Sequence, residues 1–249
     1  MNGKKPAEEW LFGMHTVLTL LQTEPDRVLE LRLQRGREDE RMRKVQQRAE
    51  RLELPVTWVN RSDLDRLTDV SHQGVAARCR QGELRDEHFL WQLLDHQEEA
   101  PLLLVLDGVT DPHNLGACLR SADAAGVAAV IAPKDRSAGI TPVVSKVASG
   151  AAESVPFIAV TNLARTLDEL KKRGVWLVGT AGEADQLIYD ADLKGPLALV
   201  MGAEGSGLRR LTRDHCDFLV KLPMAGTVSS LNVSVAAGVC LFEAVRQRR

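Results

Sequence analysis

The chain has 249 residues, of which 44% are hydrophobic and 27% are charged, and its formal net charge is −2. These proportions are ordinary for a folded globular protein and argue against a disordered chain. No apolar run approaches the roughly 18 residues of a membrane span, and the first ten residues lack the apolar core of a signal peptide. We therefore expect a cytoplasmic protein with no membrane segment.

The four cysteines indicate neither a disulfide framework nor a zinc site. Cys79, Cys118, Cys216 and Cys240 are far apart and form no CxxC pair. Zinc sites and disulfide-rich scaffolds usually contain closely spaced cysteines. We expect buried or incidental thiols and no bound metal.

Residues 1–82 have the pattern of a small α/β domain. A helix is predicted over Trp10–Leu21, a charged helical segment over Arg35–Leu54, and strands over Val28–Leu33, Val56–Val59 and Gly74–Ala77. The arginines of the charged segment fit two interpretations equally well, a solvated helix face or contacts with RNA phosphates.

Residues 83–100 are polar and acidic, and they separate two mildly basic regions. One short amphipathic helix is predicted within them, around Phe89–Leu94. We interpret this segment as a linker between an N-terminal domain, residues 1–82, and a second domain, residues 101–249.

In the second domain, apolar runs alternate with helical segments, which predicts a mostly parallel sheet covered on both faces. The predicted strands include Leu102–Leu106, Val175–Gly179, Leu197–Met201 and Phe218–Leu222. The last helix, within Leu231–Arg248, is apolar on nearly every side, so we expect it to be buried.

Three polar turns follow strands of this sheet, at Asp107–Arg120, Gly202–Gly207 and Leu222–Asn232. Open α/β sheets bind ligands at the carboxyl ends of their strands. The glycines of the second turn are spaced GxxGxG and no Walker lysine is present, which argues against a dinucleotide or phosphate loop. The three turns therefore predict one ligand site of another kind.

Individual residues of these turns allow more than one interpretation. Asn114 is placed to cap a helix or to serve the site. Arg120 lies on a predicted helix whose other residues are mostly small and apolar, so its charge needs a partner. Phosphate or carboxylate is the usual partner of an arginine. Glu204 stands between glycines, where it suits holding a polar group, and His113 is either solvated or a substrate contact.

The turn sequences also resemble a known family. DGVTDPHNLGACLRSADAAG, VMGAEGSG and LPMAGTVSSLNVSVA are similar to the three signature motifs of the SpoU/TrmH branch of the SPOUT methyltransferases. WLFGMHTVL and HQGVAA are similar to the substrate-binding domain of that branch. The resemblance covers essentially the whole chain.

The resemblance implies methylation of a guanosine ribose 2′-hydroxyl in 23S ribosomal RNA, with S-adenosylmethionine as the methyl donor. It also implies a C-terminal deep trefoil knot and a homodimer whose site draws on both subunits. The implied catalytic residues are Asn114, Arg120, Glu204, Ser230 and Asn232. The implied cofactor-binding residues are Gly179, Thr180, Gly202, Leu222, Met224, Ser230 and Leu231.

Mechanisms proposed for this family assign removal of the ribose 2′-hydroxyl proton to an arginine, which is Arg120 in this chain. A guanidinium is normally always protonated, so binding of the adjacent phosphate is physically easier. Two rival functions stay open from the sequence. One is an RNA-binding assembly factor that has lost activity, and the other is the same reaction on transfer RNA.

Overall fold

The computed structural model describes residues 8–68, 71–80 and 85–249. These residues form two compact units. The first unit contains the described part of Met1–Glu83 together with Ser149–Ser154, and the second contains the described part of Leu84–Ala148 together with Val155–Arg249. The assignment of residues 1–82 to RNA binding and of 83–100 to a linker stays a prediction.

The first unit has a four-stranded sheet with helices against it. Its elements are β1 (Glu8–Phe12), α1 (Met14–Thr23), β2 (Val28–Gln34), α2 (Glu40–Arg51), β3 (Val56–Val59), α3 (Arg61–Asp65) and β4 (Val75–Arg80). The strand order is β1-β4-β2-β3, with only the β2–β3 pair parallel. Alternate residues of the strands, such as Leu31 and Leu33, pack against α1 and α2 in one core because side chains alternate across a strand.

The helix predicted over Trp10–Leu21 was wrong at its start. Trp10 and Phe12 lie in β1, where they pair with Arg78 and Ala76 of β4. The helix begins only at Met14, after Gly13 turns the chain with φ at 99°. Apolar spacing did not separate a short strand from the helix that follows it.

The second unit alternates strands and helices, as predicted. The short helix Ala151–Ser154 lies between its elements in the chain but belongs to the first unit. In chain order the elements are α4 (Glu87–Asp95), β5 (Leu102–Asp107), α5 (Pro112–Ala124), β6 (Ala129–Pro133), α6 (Pro142–Ala148), α7 (Ala151–Ser154), β7 (Phe157–Val160), α8 (Leu163–Lys172), β8 (Trp176–Thr180), β9 (Gln186–Leu187), β10 (Leu197–Gly202), α9 (Arg210–His215), β11 (Phe218–Lys221) and α10 (Val233–Arg248).

The strand order of this unit is β7-β6-β5-β10-β8-β11-β9, and each pair of neighbours is parallel. The predicted α/β class with a mostly parallel sheet is therefore confirmed. The trefoil knot that the resemblance implies stays a prediction. Because β5, β10, β8 and β11 are adjacent and run in one direction, the loops after them leave the same edge of the sheet.

The burial predicted for the last helix is correct on one side only. Ala237, Cys240 and Leu241 of α10 are buried, whereas Val235 and Phe242 are 52% and 48% exposed. Positions 235 and 242 are seven residues apart, so they share one face of the helix. The described residues of the single chain therefore leave about half of each of these two apolar side chains uncovered.

Candidate active site

A pocket of about 410 Å³ lies at the carboxyl edge of the large sheet. Its walls come from the loops after β8, β10 and β11 and from the first turn of α10. The lining residues are Thr180, Ala181, Gly182, Glu183, Met201, Gly202, Ala203, Glu204, Gly205, Ser206, Gly207, Leu208, Arg213, Val220, Lys221, Leu222, Met224, Ser229, Ser230, Leu231, Val233 and Ala236. Two of the three predicted turns therefore line one cleft.

The loop after β10 is a tight turn that presents Glu204. The backbone N–H of Ala203 donates to the Gly207 carbonyl at 3.1 Å, and the Gly207 N–H donates back to the Ala203 carbonyl at 2.9 Å. A Cβ on Gly202 would lie only 2.1 Å from the Gly207 carbonyl carbon. Only glycine fits this position, because the backbone on either side of the loop closes against it.

Asn232 joins all three predicted turns. Its Nδ2 donates to Asn114 Oδ1 at 2.9 Å and to Glu204 Oε1 at 2.6 Å. Its Oδ1 caps α10 by accepting from the Ser234 N–H at 2.9 Å, as expected for a polar residue at a helix start. The amide group thus fixes the helix and also places Asn114 and Glu204 side by side.

Asn114 lies inside α5 and is not its cap. Asp111 is the N-cap, accepting from the His113 N–H at 2.9 Å, and Pro112 occupies the first turn. The interpretation of Asn114 as a helix cap was therefore wrong, because the cap falls three residues earlier. The Asn114 side chain is free of backbone capping and reaches Asn232 instead. His113 is exposed at the surface of the same turn.

Arg120 is the one predicted catalytic residue that the single chain leaves apart. It is exposed on α5, and no hydrogen bond or ion pair joins it to the residues that the structure describes. It does not line the pocket. The described residues of this chain therefore do not supply the partner that the sequence suggested for this guanidinium.

Most of the predicted cofactor residues line the pocket: Thr180, Gly202, Leu222, Met224, Ser230 and Leu231. Gly179 does not line it. It lies beneath the pocket wall, where a Cβ would come within 2.7 Å of Leu219 Cδ2 and 2.8 Å of Cys216 Sγ. Gly179 thus allows close packing under the site, and a direct role in cofactor binding stays a prediction.

Sequence reasoning missed Glu183 and Arg213, which line the pocket and form an ion pair with each other. A backbone hydrogen bond and the hydrogen bond from Arg213 hold the pKa of Glu183 below its usual range. Glu183 follows β8 in a polar turn, the same pattern that identified the other three turns. That signal was present in the sequence but was not used.

Asp107 and Arg209 form a second missed pair, which braces the turn after β5. The Asp107 side chain is fully buried, and its Oδ2 accepts from the Arg209 N–H at 2.9 Å. The Arg209 Nε lies 3.5 Å from Asp107 Oδ1. This pair ties the end of β5 to the segment that follows the Gly202–Gly207 loop.

All four cysteines are free thiols. Burial raises the pKa of Cys79, Cys118, Cys216 and Cys240 to about 12 in each case, so these thiols are poor nucleophiles at neutral pH. Among the described ranges, no cluster of three or more histidine, cysteine and acidic side chains suits a metal ion. No helix within them is long and apolar enough to cross a membrane.

Solved structures with a similar fold include RNA-modifying methyltransferases. The SpoU methyltransferase AviRb from Streptomyces viridochromogenes, solved in complex with AdoMet, is 27% identical with a TM-score of 0.79, over 97% of this chain and 90% of that chain. An RNA 2′-O ribose methyltransferase structure is 30% identical with a TM-score of 0.78, over 97% of this chain and 89% of that one.

Curated relatives are more similar in sequence. The 23S rRNA (guanosine-2′-O-)-methyltransferase RlmB of Pseudomonas putida is 60% identical over 97% of both chains. The protein with that name in Coxiella burnetii is 54% identical, over 96% of this chain and 95% of its own.

Two family patterns together cover most of the sequence. The pattern described as RNA 2′-O ribose methyltransferase substrate binding matches residues 10–84. The SpoU rRNA Methylase family pattern matches residues 101–242, which include the pocket and the Asn232 hydrogen bonds. The chain therefore belongs to the SpoU rRNA Methylase family.

Proposed function

We propose that this protein transfers a methyl group from S-adenosylmethionine to the ribose 2′-hydroxyl of a guanosine in 23S ribosomal RNA. The observation that carries the proposal is the hydrogen-bonded set of Asn114, Glu204 and Asn232 beside a pocket of about 410 Å³. Relatives at 54% to 60% identity over nearly the whole chain carry this activity in their names. A ribosomal RNA substrate supports the further proposal that the protein acts in the cytoplasm.

The pocket residues fit the methyl donor chemically. Apolar side chains such as Met201, Leu222 and Val233 can pack against an adenine ring, while Glu183 and Arg213 offer polar groups for a ribose or an amino-acid tail. Exposed backbone in the Gly202–Gly207 loop supplies further donors and acceptors. When bound, S-adenosylmethionine supplies an electrophilic methyl group on a sulfonium.

The protein's own contribution is alignment and exclusion of water. Methyl transfer is an in-line displacement, so holding the ribose oxygen opposite the leaving group gives much of the acceleration. Glu204 and Ser230 line the pocket, and Asn232 hydrogen-bonds both Asn114 and Glu204 beside it, which supports a role for this group in holding the ribose and its neighbours. We propose these four as catalytic or positioning residues.

We propose that Arg120 binds the phosphate next to the reacting ribose. It is exposed and without a protein partner in the described chain, as a residue awaiting RNA would be. A guanidinium binds phosphate through two parallel hydrogen bonds and stays charged throughout. The alternative role, taking the hydroxyl proton, requires a neutral guanidine, which is costly at ordinary pH.

We also propose a homodimer. The exposed apolar face of α10, with Val235 and Phe242, suits a second copy of the chain better than it suits water. A partner would also explain why Arg120 lies apart from the pocket of its own chain. In the dimer, Arg120 of one subunit would serve the pocket of the other.

The direct test uses labelled S-adenosylmethionine and 23S ribosomal RNA from a strain that lacks this protein. One labelled methyl group per RNA, mapped to a guanosine 2′-oxygen, is the expected result. Transfer RNA and already modified 23S RNA are the controls and should remain unlabelled. Binding of RNA without any label in it would support the inactive assembly factor, and label in transfer RNA alone would reassign the substrate.

A further inference from the structure

The first unit contains a polar pocket that the methyl-transfer site does not use. Its volume is about 650 Å³, and it lies where β2 ends and β4 begins, beside α3. The lining residues are Gln34, Arg37, Arg61, Asp65, Thr68, Ser71, His72, Gln73 and Gly74. Among the described residues, the side chains that line the pocket are all polar or charged, so this part of the pocket suits a polar ligand.

Arg37 is held in place before any ligand arrives. Its Nη1 donates to the Gln73 carbonyl at 2.6 Å, and its Nε pairs with Asp39. Gly74, with φ at 76°, lies directly beneath it, and a Cβ there would come within 3.0 Å of Arg37 Cδ. A fixed guanidinium loses little conformational freedom when it binds, and its Nη2 remains available.

His72 fixes the loop that forms one wall of the pocket. The ring is 6% exposed, its Nδ1 accepts from the Gly74 N–H at 2.9 Å, and its Nε2 lies 2.9 Å from Asp65 Oδ1. Because Nδ1 accepts a hydrogen bond, Nε2 carries the ring's hydrogen and donates a hydrogen bond to Asp65. Both ring nitrogens are thereby occupied, so His72 shapes the pocket and does not bind the ligand.

Among the arginine and glutamine side chains that line the described part of the pocket, the hydrogen-bonding groups left over are mainly donors. Arg61 is 75% exposed at its side chain and lies 3.9 Å from Asp65, which leaves most of its N–H groups free. Gln73 Oε1 already accepts from the Met14 N–H at 3.0 Å, so its amide NH₂ is left to donate. A ligand rich in acceptors therefore fits, and a phosphodiester with its ribose is such a group.

We propose that this pocket binds one nucleotide of the RNA substrate, with Arg37 and Arg61 on its phosphate and Gln34 and Gln73 on its sugar or base. The proposal rests on the proposed function, because it takes the RNA substrate from it. It adds a second RNA contact, built into the first unit and separate from the methyl-transfer pocket.

The test measures binding of unmodified 23S ribosomal RNA transcript by the full-length variants Arg37→Ala and Arg61→Ala. Loss of a charge-assisted contact should weaken binding about tenfold for each variant. The plot of log affinity against log salt should become shallower by about one for each lost phosphate contact. S-adenosylmethionine affinity and the rate at saturating RNA should stay at wild-type values.

The matched control is Arg43→Ala, which removes one positive charge from an exposed position of α2 in the same unit. It should change RNA affinity less than either pocket variant. Equal losses in all three variants would mean diffuse electrostatic attraction and would overturn the pocket. Wild-type affinity in the pocket variants would overturn it too, while methyl transfer by the wild-type protein would still support the proposed function.

Arg37 also anchors a loop, so the melting temperature of each variant is measured first. If Arg37→Ala melts early, Arg61→Ala decides the matter, because Arg61 is exposed and its one ion pair with a described residue is long, at 3.9 Å. Arg37→Lys keeps the charge but lacks the guanidinium fork, and it should restore only part of the affinity. Full restoration by lysine would contradict a phosphate contact that depends on the fixed guanidinium.

Discussion

At the scale of single residues, the site depends on one amide group. Asn232 Nδ2 is the shared donor to Asn114 and Glu204, while Oδ1 of the same side chain begins α10. Only asparagine and glutamine have a side-chain amide, with two donor hydrogens and an acceptor oxygen, and the glutamine side chain is longer. The geometry of the proposed active site therefore depends on this position more than on either partner.

We predict that Asn232→Ala lowers kcat about 10- to 100-fold, because Asn114 and the Glu204 carboxylate each lose the hydrogen bond that Asn232 donates. Affinity for S-adenosylmethionine should change much less. Asn232→Asp should be worse at neutral pH than Asn232→Ala, since it places a second carboxylate against Glu204, and it should recover in part as the pH falls. Thr227→Ala, exposed in the preceding loop, is the control. Equal loss in kcat and in cofactor affinity would contradict a positioning role.

Gly202 provides a second residue-scale prediction. Gly202→Ala should displace the Glu204 loop and abolish measurable cofactor binding by calorimetry, because the added Cβ would meet backbone atoms at 2.1 to 2.4 Å. Gly182→Ala is the matched control, since it lines the same pocket and its Cβ would have no neighbour closer than 4.0 Å. Similar binding losses in both variants would show that the pocket tolerates no added methyl group anywhere, and would refute the loop argument.

At the scale of elements, the short helix α7 and the segment before it extend the first unit. The Thr23 hydroxyl of α1 donates to the Glu153 carbonyl at 3.3 Å, and Gly150 lies against His15 and Thr19 of α1. Glu153 Oε2 is buried with no hydrogen-bond partner among the described residues. A buried and unsatisfied carboxylate makes this element sensitive to pH.

Burial raises the pKa of Glu153 to about 8 from an ordinary 4.5. Between pH 4.5 and pH 8 the carboxyl group has lost its proton in the unfolded chain but keeps it in the folded protein. The free energy of unfolding therefore falls as the pH rises through this range, by at most about 1.4 kcal/mol for each pH unit. We predict that Glu153→Gln gains stability over wild type progressively from pH 4.5 to 8 and holds that gain above it. Denaturant unfolding at several pH values measures the difference.

The control for this prediction is Glu38→Gln, an exposed position of the same unit. Its stability difference from wild type should not grow with pH in this range. A gain for Glu153→Gln that is the same at pH 5 and pH 8.5 would mean that the carboxylate keeps its ordinary pKa, and the burial argument would be wrong.

At the scale of the whole molecule, the proposed dimer determines whether the site is complete. Arg120 and the pocket belong to one chain, but Arg120 does not line the pocket and no hydrogen bond or ion pair joins the two among the described residues. Either the RNA bridges them within one subunit or each pocket uses the Arg120 of its partner. Mixed dimers distinguish these two arrangements.

Arg120→Ala alone should abolish methyl transfer, as measured by the labelled-methyl assay. Its affinity for S-adenosylmethionine, measured by calorimetry, should stay near that of the wild-type protein. The Arg120→Ala variant is then mixed with the Asn232→Ala variant so that subunits exchange. If each site takes Arg120 from the partner subunit, one of the two sites in a mixed dimer has both native residues, and up to about half of the sites should be active. Each variant mixed with itself is the control. No restoration, despite proven exchange, would place both residues of each site in one subunit.

A related prediction concerns the exposed face of α10. Phe242→Glu should shift the protein from dimer to monomer in sedimentation experiments, because a charge replaces an apolar contact. Val143→Glu, at another exposed apolar position outside α10, is the control and should leave the dimer intact. A Phe242→Glu protein that remains dimeric would show that this face is not the interface.

The sequence alone determined the alternation of strands and helices in the second unit, the mostly parallel sheet and the three turns that carry the site, because periodicity and strand-end glycines are local properties. The resemblance of those turns to known motifs supplied the reaction and the cofactor. Local pattern did not determine that Asp111 and not Asn114 caps α5, that Trp10 belongs to a strand, or that Glu183 and Arg213 meet at the pocket.

Those outcomes depend on contacts between residues far apart in the chain. Asn232 reaches Asn114 across 118 positions, and the Arg209 backbone reaches Asp107 across 102. Such pairs form only when neighbouring parallel strands bring their carboxyl ends together, and side-chain type says nothing about which partner is within reach. Tertiary structure therefore decided which of the polar residues became a connected site.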